Sequence, residues 1–81
     1  MKAHVQFFAR LRDLVGVSDL DVDLPEGSTI TDLLEKIYAM KPRLREHDAT
    51  MLVGAGVDFV DRSYQIRAND KIAIMPPVQG G

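Results

Sequence analysis

The sequence predicts a two-layer α+β domain in which one long helix lies across one face of a mixed sheet. Three observations support this fold class. Short apolar segments typical of strands occur near both ends of the chain, at 4–9 and 71–75. Residues 19–24 alternate strictly between aspartate and apolar residues, which is the pattern of a strand with one buried face. The one long amphipathic helical pattern begins at Ile30 and ends before Pro42.

Length and charge limit the possible classes of function. The 81 residues suffice for one small domain, but not for a deep pocket walled by the chain's own side chains. Basic and acidic residues are interleaved and the formal net charge is −2, so no nucleic-acid surface is predicted. The chain contains no cysteine, which excludes disulfides, thiolate metal sites and a cysteine nucleophile within it. A self-sufficient enzyme is therefore disfavoured.

Composition also bears on folding and location. Hydrophobic residues make up 46% of the chain and charged residues 27%, which predicts a folded protein and not a disordered one. No apolar run is long enough for a signal peptide or a membrane-spanning segment, because charges recur every few residues. We therefore expect a cytoplasmic protein without a membrane partner.

The first elements are predicted to be a strand and a short helix. The run HVQFFA at 4–9 is typical of a strand, with Val5 and Phe7 on one face and Phe8 on the other. The following ARLRDLVG predicts one or two helical turns, which end at Gly16 because a left-handed residue is needed there.

The next strand is predicted to have an acidic outer face. In SDLDVDLPEG the apolar residues alternate with Asp19, Asp21 and Asp23. We expect these aspartates to face solvent on an edge strand, where charges discourage aggregation. A docking site for a basic partner is the alternative interpretation of this acidic stripe.

The long helix is predicted from its cap, its end and its apolar stripe. Ser28 or Thr29 caps the first turn, in which Asp32 is the reciprocal partner. Pro42 disfavours helical geometry at the residue before it, and the polar stretch RLREHDA at 43–49 is predicted to be a loop. Four apolar residues at helical spacing form the buried stripe: Ile30, Leu33, Leu34 and Ile37.

The remaining segments predict the last three strands. TMLVGAG and VDFVD are typical of a strand, a glycine-rich turn or bulge, and a short strand. In SYQIRAND, Asn69 is the candidate for a left-handed turn residue. KIAIM places Ile72 and Ile74 on one face of the last strand and Met75 on the other. This order of elements predicts a fold of the β-grasp type.

Several other candidate residues lack the spacing that their chemistry requires. The GAG at 54–56 has no third glycine for a dinucleotide-binding loop, so a turn or bulge is preferred. His4 and His47 are isolated from other ligand-type residues, and no metal site is predicted. KPRLRE at 41–46 fits a solvated turn that complements the helix dipole. Three serines fit caps and turns better than a nucleophile elbow: Ser18, Ser28 and Ser63.

The chain ends in PPVQGG, which predicts a tail at 76–81 after a domain at 1–75. The two prolines cannot donate ladder hydrogen bonds and favour extended geometry, so the last strand ends near Met75. The two glycines have no Cβ and can pass through a gap too narrow for other residues. We expect an extended, flexible C-terminal tail that is presented to a partner.

The α-carboxylate of Gly81 is the candidate reactive group. It is ionised at neutral pH and is therefore a poor electrophile. A partner can activate it by letting it attack the α-phosphate of ATP, which gives an acyl-adenylate open to an external sulfur nucleophile. A frayed terminus or a cloning scar is the alternative. The diproline and the four-residue spacing between strand and glycines favour a functional tail.

Two motifs resemble a known family. VQFFARLRDLVG near the start and AIMPPVQGG at the end are similar to the small, sulfur-carrying subunits of molybdopterin synthase, within the ubiquitin-like sulfur-carrier family. The resemblance covers essentially the whole chain, and PPVxGG coupled to FFARLRxLVG is specific for this family. It implies a ubiquitin-like β-grasp fold and a subunit that is not catalytic alone.

The resemblance also implies a reaction cycle with several partners. An adenylating enzyme uses ATP and Mg to activate the carboxyl group of Gly81, and a persulfide-bearing sulfurtransferase replaces one oxygen by sulfur. The Gly81 thiocarboxylate then enters the large synthase subunit and gives its sulfur to the pterin precursor, building the dithiolene that holds molybdenum or tungsten. The chain binds no cofactor itself. The tail residues presented to these partners are Pro76, Pro77, Val78, Gln79 and Gly80.

Members of the family dock through an apolar surface beside the tail. The matching positions here are Phe8, Phe59 and Met75, although each also fits core packing. Three alternatives to the synthase subunit stay open: a sulfur carrier for thiamine or another pathway, a ubiquitin-like modifier joined through Gly81 to target lysines, and an interaction module with an incidental tail. The diproline and the FFARLR start favour the pterin pathway.

Overall fold

The computed structural model describes residues 1–77, and the predicted tail residues 78–81 lie outside the described residues. Helices and strands follow one another in the predicted order. They are β1 Lys2–Phe7, α1 Ala9–Val15, β2 Asp19–Asp23, α2 Ile30–Met40, a 3-10 helix Pro42–His47, β3 Leu52–Ala55, β4 Asp58–Val60 and β5 Lys71–Met75.

The strands form a single mixed sheet in the order β2-β1-β5-β3-β4. β1 and β5 pair in parallel, whereas the other neighbours are antiparallel. This arrangement confirms the predicted α+β fold class with a mixed sheet. β2 is an edge strand with its three aspartates exposed, as its alternation predicted.

The hydrophobic core lies between α2 and one face of the sheet. All four residues of the predicted α2 stripe are at most 2% exposed. The sheet contributes Val5, Ile72 and Ile74, which are fully buried in the same cluster. Because strand residues alternate between faces, the residues between them point to the opposite side, which we call the open face.

The start and end of α2 agree with the sequence pattern. Thr29 is the cap: its hydroxyl accepts a hydrogen bond from the Asp32 backbone N–H at 3.3 Å, and the Asp32 carboxylate accepts one from the Thr29 N–H at 2.9 Å. Ser28 does not cap the helix, because its hydroxyl donates to the Pro25 carbonyl at 2.6 Å. The helix ends at Met40, before the proline.

The prediction of a loop at 43–49 is wrong. A 3-10 helix covers Pro42–His47, with its proline in the first turn, where the missing N–H costs nothing. Leu44 is fully buried and fixes this helix to the core. A single apolar residue in a polar stretch does not show a periodicity, so the sequence pattern gave no sign of it.

The basic turn after α2 is more than a solvated helix end. Arg45 forms a two-pronged ion pair with Glu35, with N–O distances of 3.1 and 3.3 Å. Its guanidinium also lies 4.7 Å from the centre of the Tyr38 ring. Arg45 therefore joins the 3-10 helix to α2 by charge and by a cation–π contact.

A hydrogen-bonded cluster of Tyr38, Asp48 and Arg62 connects α2 to the segment after β4. The Tyr38 hydroxyl donates to the Asp48 carboxylate. Arg62 donates to the same carboxylate at 3.1 Å and to the Asp48 carbonyl at 2.7 Å. The hydrogen bond from Tyr38, together with Arg62, holds the pKa of Asp48 below its usual value. Burial and the same carboxylate raise the pKa of Tyr38.

This cluster makes stability depend on pH in the acid range. Because folding lowers the pKa of Asp48, its contribution is complete above the unfolded value of about 3.9 and is lost as the pH falls through the folded value. Replacing Asp48 by Asn is expected to lower the free energy of unfolding by about 1–2 kcal/mol at neutral pH. The difference from the wild type should shrink below about pH 4.

Urea unfolding of both proteins at neutral and acid pH measures this difference. Asp13→Asn, at an exposed position on α1, is the matched control and should change stability little at either pH. A difference for Asp48→Asn that stays constant or grows in acid would contradict the assignment.

The first strand is shifted from its predicted position at 4–9. β1 begins at Lys2, which pairs with Asp23 of β2, and it ends at Phe7. Ala9 has a left-handed φ of 53°, which turns the chain out of the sheet and into α1. Phe8 therefore lies at the bend, where its N–H still donates to the Ile74 carbonyl at 3.1 Å.

Left-handed geometry at Ala9 is strained, because the Cβ approaches the following carbonyl oxygen. Ala9→Gly is expected to raise the free energy of unfolding by about 1 kcal/mol. The matched control is Ala39→Gly, at an exposed position inside α2, which should lower it by about 1 kcal/mol. Chemical denaturation checks both, and two destabilised variants would count against strain at Ala9.

The predicted turn residues are confirmed with one refinement. Gly16 and Asn69 have left-handed φ angles of 84° and 74°. In the GAG segment only Gly56, with φ of 63°, belongs to the turn, which it forms with Val57. Gly54 lies inside β3 and pairs with Ala73 of β5.

Candidate functional site

Strand pairing aligns small residues across the middle of the open face. Gln6 of β1 lies beside Ala73 of β5, Ala73 beside Gly54 of β3, and Gly54 beside Phe59 of β4. The next row toward the C-terminus contains Met75, which pairs with Leu52. The half of the open face formed by β5, β3 and β4 is therefore mostly apolar.

Large apolar side chains on this half are exposed. Phe8 is 43% exposed, Phe59 69% and Val57 fully exposed, and Met75 is half-buried beside them. We call these four residues the apolar patch. The alternative prediction, that Phe8 and Phe59 pack in the core, is therefore wrong. Contiguous exposed apolar residues on a small domain are typical of an interaction surface.

The apolar patch surrounds a cavity of about 160 Å³, which we call the socket. Phe8, Phe59 and Met75, which the sequence places far apart, all contribute to its wall. The fold thus brings together the three residues that were predicted to face a partner. The residues lining the socket are Phe8, Gly54, Gly56, Val57, Asp58, Phe59, Ala73 and Met75.

The C-terminal segment leaves the sheet at the edge of the socket. β5 ends at Met75, and Pro76 and Pro77 continue outside any strand and are half-buried. The predicted end of the last strand is therefore confirmed. Because Met75 is both the last strand residue and part of the socket wall, any partner that covers the socket also meets the start of the tail.

The half of the open face formed by β1 and β2 is polar. His4 is not isolated, since its Nδ1 lies 2.8 Å from an Asp21 carboxylate oxygen and its Nε2 lies 4.0 Å from Asp19. The register of β1 and β2 creates this pair across 17 residues of sequence. Within residues 1–77, no group of three or more His, Asp or Glu side chains is arranged to hold a metal ion.

Sequence reasoning missed five of the eight residues that line the socket: Gly54, Gly56, Val57, Asp58 and Ala73. Val57 was assigned only to a strand, although an apolar residue next to a turn glycine signals exposure at a hairpin tip. Ala73 shares a face with Met75 in the KIAIM alternation, which was a usable signal. No sequence signal marked Gly54 as a socket residue, because its place in β3 depends on the pairing with β5.

Among the described residues, no helix is long and apolar enough to cross a membrane. A mixed sheet with a parallel β1–β5 pair, one long helix across one face and the final strand beside the first defines a β-grasp protein. The apolar patch lies where the C-terminal segment leaves β5.

Known proteins are similar to this chain in sequence and in fold. The model of the ThiS family matches residues 5–81, and the chain belongs to this family. The molybdopterin synthase sulfur carrier subunit of Arabidopsis thaliana is 34% identical over 77 residues, which cover 95% of this chain and 80% of that protein. The corresponding subunit of Chlamydomonas reinhardtii is 30% identical, and the match covers both chains completely.

Solved structures agree with this assignment. A putative molybdopterin converting factor subunit 1 from Pyrococcus furiosus superposes with a TM-score of 0.87 at 29% identity, covering 96% of this chain and 99% of that one. SAMP1 from Haloferax volcanii has a TM-score of 0.85 at 22% identity, with both chains fully covered. A complex of subunits 1 and 2 of the molybdopterin-converting factor from Helicobacter pylori has a TM-score of 0.71 at 21% identity, with both chains fully covered. The last two likenesses show the fold alone.

Proposed function

We propose that this protein is the sulfur carrier subunit of a molybdopterin synthase, acting in molybdenum cofactor biosynthesis. The ThiS family match extends through Gly81 and includes the whole PPVQGG end, which supports a sulfur carrier. The observation that carries the molybdopterin assignment is the sequence match to curated molybdopterin synthase sulfur carrier subunits. The curated relatives with this name match over nearly the full chain. The apolar patch at the start of the tail supports it, because a carrier must dock close to the group it delivers.

The proposed chemistry takes place at the carboxyl group of Gly81. One carboxylate oxygen attacks the α-phosphate of ATP in an adenylating enzyme, and pyrophosphate leaves. The terminal sulfur of a persulfide then attacks the carbonyl carbon and AMP leaves. A thiol cleaves the resulting S–S bond, which leaves the Gly81 thiocarboxylate. ATP and Mg belong to the adenylating partner, and we propose that the cycle takes place in the cytoplasm.

The chain's own residues present the tail and do not perform the chemistry. We propose that Phe8, Phe59 and Met75 dock on the large synthase subunit, as subunits 1 and 2 associate in the Helicobacter pylori complex. Pro76 and Pro77 have fixed φ angles and lack N–H donors, so they direct the tail away from the sheet. The large subunit supplies the groups that bind the pterin precursor, and sulfur passes from Gly81 to the precursor there.

Reconstitution tests this proposal. The thiocarboxylated protein, a molybdopterin synthase large subunit and the pterin precursor are mixed, and molybdopterin is measured after conversion to its fluorescent oxidised derivative. We expect product in amounts limited by the thiocarboxylate supplied, and none from the unmodified carboxylate form. Absence of product with a large subunit that is active with its own carrier would refute the pathway.

A further inference from the structure

Gly54 contributes no side chain at the centre of the socket lining. Its strand neighbours on the open face are Ala73 of β5 and Phe59 of β4. Glycine and alanine fill almost none of the space above the sheet, whereas Phe8, Phe59 and Met75 rise around them as walls. The socket is therefore a depression whose floor is Gly54 and Ala73.

The backbone does not require glycine at this position. Gly16, Gly27 and Gly56 have positive φ angles, whereas Gly54 is not among the residues with left-handed geometry. A Cβ built on Gly54 lies 3.5 Å from the Asp58 carbonyl oxygen and 3.6 Å from the Met75 Cε, which are ordinary contacts. Glycine inside a strand weakens it through chain entropy. The fold thus accepts an alanine Cβ here, and the strand would gain from the loss of glycine's chain entropy.

We propose that Gly54 sets the depth of a socket that receives one apolar side chain, of leucine or phenylalanine size, from the synthase large subunit. This inference rests on the proposed function. The size follows from the volume: an apolar cavity of about 150 Å³ holds one benzene molecule, and the socket measures about 160 Å³. We assign the side chain to the large subunit because Met75 lines the socket and is also the last strand residue before the tail. A partner that receives the tail therefore also contacts the socket.

The inserted side chain would also fix the reach of the tail. It would lie against Met75, so the distance from the docked domain to the partner's reaction site would be set within one residue of the tail's first proline. A shallower socket would lift the carrier from the partner and withdraw the tail by the same amount. Gly54 is in this sense a positioning residue for sulfur transfer.

Isothermal titration calorimetry of the intact carrier with the large subunit tests the inference. Gly54→Ala is expected to weaken binding several-fold and Gly54→Leu by about 30-fold or more, while the urea midpoint of Gly54→Ala stays equal to the wild type or rises. The matched control is Gln6→Leu, which adds the same side chain in the same strand row but outside the socket. It should bind like the wild type.

The idea is overturned if both Gly54 variants bind with wild-type affinity, or if Gln6→Leu weakens binding as much as Gly54→Leu. Gly54→Ala decides the matter alone if the leucine variant does not fold. Failure of the proposed function has a different signature, because the wild-type carrier would then neither bind the large subunit nor support molybdopterin formation.

Discussion

Deleting Gly81 is expected to abolish molybdopterin formation by the reconstituted synthase. The variant ends in Gly80, which still offers a carboxylate, but one residue earlier. An extended residue spans about 3.3–3.6 Å, so the carboxyl group falls short of the reacting position by that distance. A misplacement of about 1 Å can already cost about 100-fold in rate. Both adenylation and sulfur transfer should therefore fall below detection.

Adding one alanine after Gly81 should have the same effect, because it moves the carboxyl group too far and adds a Cβ next to the reacting carbon. Gln79→Ala is the control, since it keeps the length of the tail and both terminal glycines. It should retain most of the activity. Molybdopterin yields per mole of carrier compare the three variants, and wild-type yield from either length variant would refute the role of the Gly81 carboxylate.

Phe59→Ala is expected to weaken binding of the large subunit by about 2 kcal/mol or more, which is about 30-fold in Kd. Phe59 is 69% exposed and stands at the wall of the socket, so the ring is available to a partner and contributes little to the core. Aromatic side chains at the centre of an interface carry a large share of its binding energy. The unfolding midpoint should change little.

Met40→Ala is the matched control for Phe59→Ala. Met40 is 49% exposed at the end of α2 and does not line the socket. Calorimetric titration of the large subunit with each variant gives the comparison. Equal Kd values for Phe59→Ala and the wild type would show that the apolar patch is not the docking surface.

Most of the fold could be predicted from local sequence patterns. The aspartate alternation placed β2 at an edge, the capping box placed the start of α2 at Thr29, and Asn69 adopted the predicted left-handed turn. Each of these features depends on neighbours in sequence, which is why the pattern was sufficient. The 3-10 helix was not predicted because Leu44 is its one buried residue, and a single apolar residue shows no periodicity.

Contacts between residues far apart in sequence could not be predicted from local patterns. His4 meets Asp21 only because β1 and β2 pair in one register, and Arg62 reaches Asp48 across 14 residues of sequence. The socket combines the ends of β1 and β5 with the β3–β4 hairpin, so Phe8, Phe59 and Met75 were predicted from a family resemblance and not from spacing. Gly54 looked like part of a turn until its pairing with Ala73 placed it at the socket floor.

Intact mass spectrometry tests the central claim most directly. The protein is co-expressed with an adenylating enzyme of the pathway and a sulfur source, purified, and compared with the Gly81 deletion. We predict that a fraction of the wild type gains the mass of one oxygen exchanged for one sulfur, located in the C-terminal peptide, and that the deletion variant does not. A wild-type protein that shows only its unmodified mass, with no sulfur-substituted C-terminal peptide, would contradict a sulfur carrier.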